Sequence, residues 1–419
     1  MSAPTHDAFA ALRIPSYRLM MTGLTGVFLS TQIQTTVLGL QVYELTRRTS
    51  DVGEAAWQVG LIGLAEAIPF LSLTLFGGWA SDQWDRRLLS ALGLLGLFAG
   101  AVWLVISNVG GATSTWPLLG AQALGGAARA VLRPASAALG AELVPPALYA
   151  NAATWRTNLF HGTTIGGPAV GALLYTSIGP LWTYALLLLG YAGGFVAVLR
   201  IPPTGRVPPP PTPVFESLRE GVRFVFATPL LLGALSLDLF AVLFGGATAL
   251  IPAFALDVLH SGEQSVGLLR AAPAVGALLM GVWLARHGMH RRAGPVLLAC
   301  VAAFGVTWVG FAFSPWLWLS ALLLAAGGAL DNVSMVLRAT LVQTCTPPQL
   351  MGRVSAVNGF FIGSSNELGA FESGAAARLL GLVPSVVVGG LLTVATVAVT
   401  AVACPPLRRL DRVEDAARA

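Results

Sequence analysis

PPTGRVPPPPTP, residues 202–213, carries seven prolines in twelve positions. Such a run cannot be helical, because each proline ring removes an amide donor and fixes φ; it forms an extended, semi-rigid strap. Six apolar runs precede it, near 17–43, 57–80, 88–109, 116–138, 155–178 and 180–200. Six more follow, near 229–252, 265–287, 294–313, 315–340, 354–379 and 381–404. About 20 apolar residues in a helix cross the hydrocarbon core of a bilayer, so each run reads as a spanning helix. The expected fold is an all-α membrane protein of about twelve transmembrane helices in two six-helix halves. The expected organisation is an N-terminal tail (1–16), an N-terminal half (17–200), a linker (201–228), a C-terminal half (229–404) and a C-terminal tail (405–419).

Just beyond the strap, Phe215, Leu218, Val222 and Val225 recur at helical spacing, with Glu216, Arg219, Glu220 and Arg223 on the other face. That pattern predicts an amphipathic helix lying on the membrane surface. Composition agrees with a lipid environment. Of 419 residues, 55% are hydrophobic and only 10% are charged, against about a quarter charged in soluble domains. The mean hydropathy is +0.74. All 24 basic residues are arginine. Without a lysine no Walker-type phosphate loop can be built, which excludes a self-contained ATP-driven pump.

The net charge of +5 does not call for a nucleic-acid partner, because the arginines sit between the apolar runs, where they orient helices. With the N-terminus inside, seventeen of the 24 fall in the tails, the linker and the even-numbered loops, and only Arg47 and Arg48 lie in a clearly external loop. The positive-inside rule then puts both termini in the cytoplasm of a bacterial inner membrane. The first residues, MSAPTHDAFAALRIP, have no apolar signal core, so the first spanning run is expected to serve as the insertion signal. Cys300, Cys345 and Cys404 lack metal-ligand spacing and read as free thiols. No metal or other cofactor is expected.

The halves carry a weak internal repeat at an offset of 202. Gly125-Gly126-Ala127 matches Gly327-Gly328-Ala329, Pro145-Pro146 matches Pro347-Pro348, and Leu148 matches Leu350. Helices 4 and 10 thus read as one element used twice, as in membrane proteins built from parallel repeats. In this register Arg129 corresponds to Asp331.

An ionisable group at the bilayer centre costs roughly 2.5–3.5 kcal/mol or more, so each one inside an apolar run must face a partner or a cavity. These are Glu66, Arg129, Arg133, Asp238, Asp331, Arg338, Glu367 and Glu372, together with His161. Arg129 and Arg133 share a helix face, as do Asp331 and Arg338. They form either a binding and coupling network in a central cavity or a set of structural ion pairs. Asp238 is the only charge in LGALSLDLFAVLFGGATALIP, and burial favours the neutral form of a carboxyl. It is a candidate proton carrier or a hydrogen-bonded structural carboxyl, and so are Glu66, in GLAEAIPF, and Asp331. Run 17–43 offers Gln32, Gln34, Thr35, Thr36 and Gln41, which suit an amide-rich or hydroxyl-rich substrate. Residues 352–374, GRVSAVNGFFIGSSNELGAFESG, are too polar for a helix facing lipid. The cavity candidates are therefore Gln32, Gln34, Arg129, Arg133, Asn358, Asn366, Glu367 and Glu372.

The loop GWASDQWDRR (78–87) has a glycine, an aspartate four residues on, and a basic pair: Gly78, Asp82, Arg86 and Arg87. It resembles the loop motif of the major facilitator superfamily. The resemblance implies that Asp82 caps a helix end and that Arg86 and Arg87 lock the inner side shut; a helix N-terminus attracts a carboxylate, and such a pair can break during switching. Gln83 and Asp85 depart from the basic residue and glycine usual there. In the second half the matching loop, 285–292, has His287 in place of Asp82. Gly162, Gly166, Gly167, Pro168 and Gly171 include a Gly-Gly-Pro-Ala-Val-Gly stretch similar to the antiporter motif of exporting facilitators. Small residues and a proline also serve plain helix packing.

Stretch 352–374, with LDLFAVLFGGATALIPAFALDVL and GLLRAAPAVGALL, resembles the bacterial branch of that superfamily containing the enterobactin exporter. The likeness covers nearly the whole chain. It implies a secondary active transporter working by alternating access: a proton-coupled antiporter, acting as a monomer in lipid, for efflux of an amphipathic small molecule, siderophore-like or drug-like. The same architecture permits facilitated import. A non-transporting receptor or assembly factor would need an appended soluble domain, and the longest stretch outside the runs, 201–228, is too short for one. An intramembrane hydrolase would need a G-x-S-x-G elbow or an H-E-x-x-H pair, and the sequence has neither; no catalytic residues are expected.

Overall fold

Every regular segment of the described chain is helical. The computed structural model describes residues 9–203, 214–287, 292–347 and 350–412. The proline strap at 204–213 lies outside that description, as do the side chains of Asp82, Ala150, residues 214–218 and Ala285. The first helices are α1 (Pro15–Arg47), α2 (Val52–Gln83), α3 (Arg86–Asn108) and α4 (Trp116–Glu142). Tyr149–Leu199 follows as one run, broken at Gly179 into α5 (149–178) and α6 (180–199). After α7 (Val214–Ala227), α8 (Pro229–Gly245) is extended to Val258 by short turns, the last of them the π-helical segment Phe254–Val258. The remaining long helices are α9 (Glu263–His287), α10 (Ala293–Ala312), α11 (Leu317–Cys345), α12 (Met351–Leu380) and α13 (Leu382–Ala403).

Eight stretches among the described residues are long and apolar enough to cross a membrane, and one of them, Pro146–Leu199, comprises both α5 and α6. Three helices of comparable length, α1, α4 and α12, are not among the eight. They are the helices that carry all eight of the polar cavity candidates. Together these account for the twelve expected spans, α1–α6 and α8–α13. The intervening α7 is amphipathic: Gly221 and Val225 are buried while Arg219 and Arg223 are exposed.

The repeat read from sequence is also a repeat of backbone geometry. Leu148 donates its amide to the Pro145 carbonyl at 2.9 Å, and Leu350 does the same to Pro347 at 2.9 Å. Gly179, with φ 76° and ψ 171°, turns α5 into α6. Gly381, with φ 93° and ψ 161°, turns α12 into α13 at the same offset of 202. A side chain is strained at such angles, by about 1–3 kcal/mol. Gly179→Ala and Gly381→Ala are each expected to lower the melting temperature of the detergent-purified protein. Gly193→Ala, on a helical backbone with nothing within 4 Å of a new Cβ, should leave it unchanged or raise it.

The chain forms two compact units, Met1–Val37 with Ile68–Ala112 and Gly120–Pro211, and Leu38–Ala67 with Thr113–Leu119 and Thr212–Ala419. Lipid gives helices no hydrophobic reason to associate, so close packing at small residues does that work. In the first unit Gly26 of α1 faces Gly190 of α6, and Gly93 of α3 faces Leu132 of α4. In the second, Gly276 of α9 abuts Ala325 of α11, Gly328 of α11 abuts Pro273 of α9, and Gly305 of α10 abuts Gly390 of α13. Also within the second unit, Gly60 and Gly63 of α2 pack on Gly374 and Ala370 of α12. A core containing Val225, Leu297, Leu337, Val354 and Leu407 ties α7 and the short helix Pro405–Arg409 to this bundle.

Candidate functional site

Helices α8 to α12 of the second unit enclose a cavity of about 250 Å³. Its charged lining comes from α8 and α11. Arg338 extends from α11 with its side chain only 8% exposed; Nη1 pairs with the Asp238 carboxylate of α8, and Nη2 lies 4.0 Å from Asp331 Oδ1. Nε donates to the Ser334 carbonyl at 3.3 Å. A guanidinium this deeply buried is stable only with a partner, and Asp238, 7% exposed, supplies it. Asp331 is different: its side chain is 45% exposed and faces the open space.

The spacing of seven that put Asp331 and Arg338 on one face of α11 thus brings them together. Asp238, solitary in its own helix by sequence, is the buried half of an ion pair with a residue one hundred positions downstream. Neutral lining comes from Thr307 and Trp308 of α10 and Asn366 of α12. Asn366 donates Nδ2 to the Ile362 carbonyl at 2.7 Å. Asn358, Glu367 and Glu372 are half-buried elsewhere on α12, and Glu66 is half-buried on α2; none of the four lines this cavity.

A second charged group in the same unit was not singled out from sequence. Asp257, in the π-helical turn, accepts from Tyr43 and from Arg47 Nη2, the latter at 3.0 Å. Arg378 of α12 pairs with Glu54 of α2 at 3.1 Å and lies over the Trp57 ring at 5.5 Å. Partners separated by 210 and more residues leave no local signal. The available hint was the Arg47-Arg48 pair, two cations at the end of an apolar run with no preceding acid within helical spacing beyond Glu44.

Gln32 and Gln34 of α1 are bonded inside the first unit. Gln34 accepts from the Tyr191 hydroxyl at 2.9 Å and donates to Gln122 at 3.5 Å; Gln32 donates to Thr164 at 2.7 Å. Arg133 lies over the Phe70 ring at 5.1 Å, and Arg129 is buried with its guanidinium beside Gly125 of its own helix. Of the α5 glycines, Gly167 meets Gln32 and Gly171 meets Ile33 and Thr36, which seats α5 on α1. Gly162 and Gly166 have nothing within 4 Å of a Cβ position, and Pro168 sits inside the helix.

Residues 78–87, read as a loop from sequence, are mostly helical, with only Trp84 and Asp85 between α2 and α3, because the polar end of α2 continues past its apolar run; they staple helix ends of that unit. Arg86 pairs with Glu142 at 3.8 Å and donates to the carbonyls of Ser81 at 3.1 Å and Ala138 at 3.4 Å. Arg87 donates to the Ile201 carbonyl at 2.6 Å, beyond the end of α6. Asp85, a departure from the family pattern, is the N-cap of α3, accepting from the amides of Arg87 and Leu88 at 2.8 and 3.4 Å. Gly78 has nothing within 4 Å of a Cβ position, and the Asp82 side chain lies outside the described residues. Among the described residues, no three His, Cys, Asp or Glu side chains converge as a metal site.

Comparison with known proteins bears on both units. The profile of the Major Facilitator Superfamily matches residues 18–370. The chain is 30% identical over 370 residues to the enterobactin exporter EntS of Shigella flexneri, covering 84% of this chain and 81% of that one. It is 29% identical over 414 residues to the enterobactin exporter EntS of Salmonella typhi, covering 93% and 92%. Among solved structures, a D-xylose-proton symporter superposes with a TM-score of 0.72 at 11% identity, covering 92% of this chain and 96% of the other. A bacterial homologue of the human lysosomal transporter Spinster, in an inward-facing and unoccupied conformation, gives 0.67 at 17% identity, covering 96% and 97%. At such identities the structural likeness concerns the fold alone.

Proposed function

The chain belongs to the Major Facilitator Superfamily and is a multi-pass inner-membrane secondary active transporter; from that premise we propose that it is a proton-coupled exporter of an amphipathic small molecule. The observation that carries this reading is the Asp238–Arg338–Asp331 group in its five-helix cavity. Ionisable groups at membrane depth are costly and mark substrate or proton paths. A carboxylate exposed to a cavity beside a pinned guanidinium can take up and release a proton without leaving Arg338 unpartnered, since Asp238 holds it throughout. Asp331 is therefore the leading coupling carboxylate, with Asp238 as support for Arg338 and Glu66 as the competitor.

Export is supported by the names of the relatives, which are enterobactin exporters, and by the antiporter-like glycine series on α5. Segment 78–87, with Asp82, Arg86 and Arg87, serves as the inner lock, both termini face the cytoplasm, and the protein works as a monomer. The test is an untargeted comparison of spent medium and cell extracts from deletion and overexpressing strains. A compound retained inside deletion cells and enriched outside overexpressing ones, with the enrichment abolished by a protonophore, is expected. Accumulation inside the overexpressing cells would instead establish uptake.

A further inference from the structure

The charges lining the cavity of the second unit do not cancel. Asp238 and Arg338 are paired and buried, and together contribute no net charge. Asp331 adds one negative charge, 4.0 Å from the guanidinium and outside hydrogen-bond reach, on a side chain nearly half open to the cavity. The rest of the lining side chains off its own helix come from Val242 and Thr248 of α8 and its extension, Pro273 of α9, Phe304, Thr307 and Trp308 of α10, and Ile362 and Asn366 of α12. None of these titrates. Among the described lining residues the only charges near Asp331 are thus Asp238 on α8 and Arg338 on its own helix. At membrane depth, a surplus carboxylate selects a positive ligand.

The apolar part of the lining fits the same class. Phe304 and Trp308 stand edge to face, with ring centroids 6.4 Å apart, and aromatic rings attract cations through their negative faces. An anion would be repelled by Asp331, and Arg338, 8% exposed and held by Asp238, offers it little surface.

We propose that this cavity binds an organic monocation, an ammonium or phosphonium centre on an aromatic body, and that Asp331 holds either that cation or a proton, never both. The proposal rests on the exporter reading and names its substrate class. The balance is one for one: the cation binds as Asp331 releases its proton to water on that side, and reprotonation from the other side expels the cation. The exchange therefore moves no net charge.

The probes are tetraphenylphosphonium and tetraphenylborate, ions of the same shape and opposite sign, added to the purified full-length protein in detergent. Saturable binding of the phosphonium is expected, with about one proton released per ion and affinity falling about tenfold per pH unit once Asp331 is protonated. Asp331→Asn should weaken that binding at least about tenfold, whereas Asp331→Glu should retain it; both variants are checked for monodispersity. Tetraphenylborate should not bind saturably. Absence of saturable phosphonium binding to the wild type, equal affinity for the borate, or unchanged binding by Asp331→Asn would overturn the proposal. The spent-medium comparison separates the two readings. A neutral or anionic compound exported at full rate by Asp331→Asn removes the cation site and leaves export standing. Phosphonium binding with proton release, but no compound moved outward, keeps the site and removes export.

Discussion

Arg338→Gln is expected to destabilise the protein by about 3–5 kcal/mol, because it leaves the Asp238 carboxylate buried without its counter-charge. Asp238 is 7% exposed, so water cannot take over the role of the guanidinium. Net stabilities of folded proteins are about 5–15 kcal/mol, so the loss should appear as a large fall in melting temperature or as aggregation in detergent. The double variant Asp238→Asn/Arg338→Gln removes both charges and leaves two amides of similar size. It should recover most of the loss, since a buried pair replaced as a whole is often nearly neutral whereas a half-removed one is not. A double variant as unstable as the single one would mean that the arginine stabilises by packing rather than by charge.

Gly276→Ala should have an effect of similar size for a steric reason. A Cβ at Gly276 would meet the Ala325 backbone, and one at Gly328 would meet the Pro273 backbone, so either forces α9 and α11 apart. Overpacking usually costs about 1–3 kcal/mol. The upper end or beyond is expected here, because the obstacle is main chain and cannot change rotamer. Pro273, Gly328 and Asp331 all line the cavity, so the same displacement would widen it. Gly162→Ala on α5, where the new methyl group meets nothing within 4 Å, is the matched control. The readout is the yield and melting temperature of monodisperse protein. If Gly276→Ala and Gly162→Ala behave alike, the close approach of α9 and α11 does not hold the unit together.

The helices were legible because apolar length is a one-dimensional property: a run near 20 residues is a span whatever it packs against. The same holds for the break between 155–178 and 180–200, where Gly179 stands in the structure. Pairings within one helix were also legible, as for Asp331 and Arg338, since spacing alone decides which residues share a face. Pairings between helices were not. Nothing in the apolar neighbourhood of Asp238 names Arg338, and nothing near Arg47 names Asp257. Gln32 and Gln34 read as groups awaiting a substrate, yet both bond to neighbouring helices of their own unit. Asp85 read only as a family departure, although an aspartate ahead of a helix start is itself a capping signal.

The turns at Gly179 and Gly381 have a mechanical consequence. An extended residue spans at most about 3.3–3.6 Å, so a one-residue joint has almost no slack. α5 cannot slide along α6, nor α12 along α13, without breaking the turn. Each joint holds two helix ends together: a displacement of one end along the membrane normal is passed to the other. The seven residues 109–115 between α3 and α4 impose no such constraint. A shift of the C-terminal end of polar α12 is therefore felt at the start of apolar α13 as well as by the helices packed along it, such as α2.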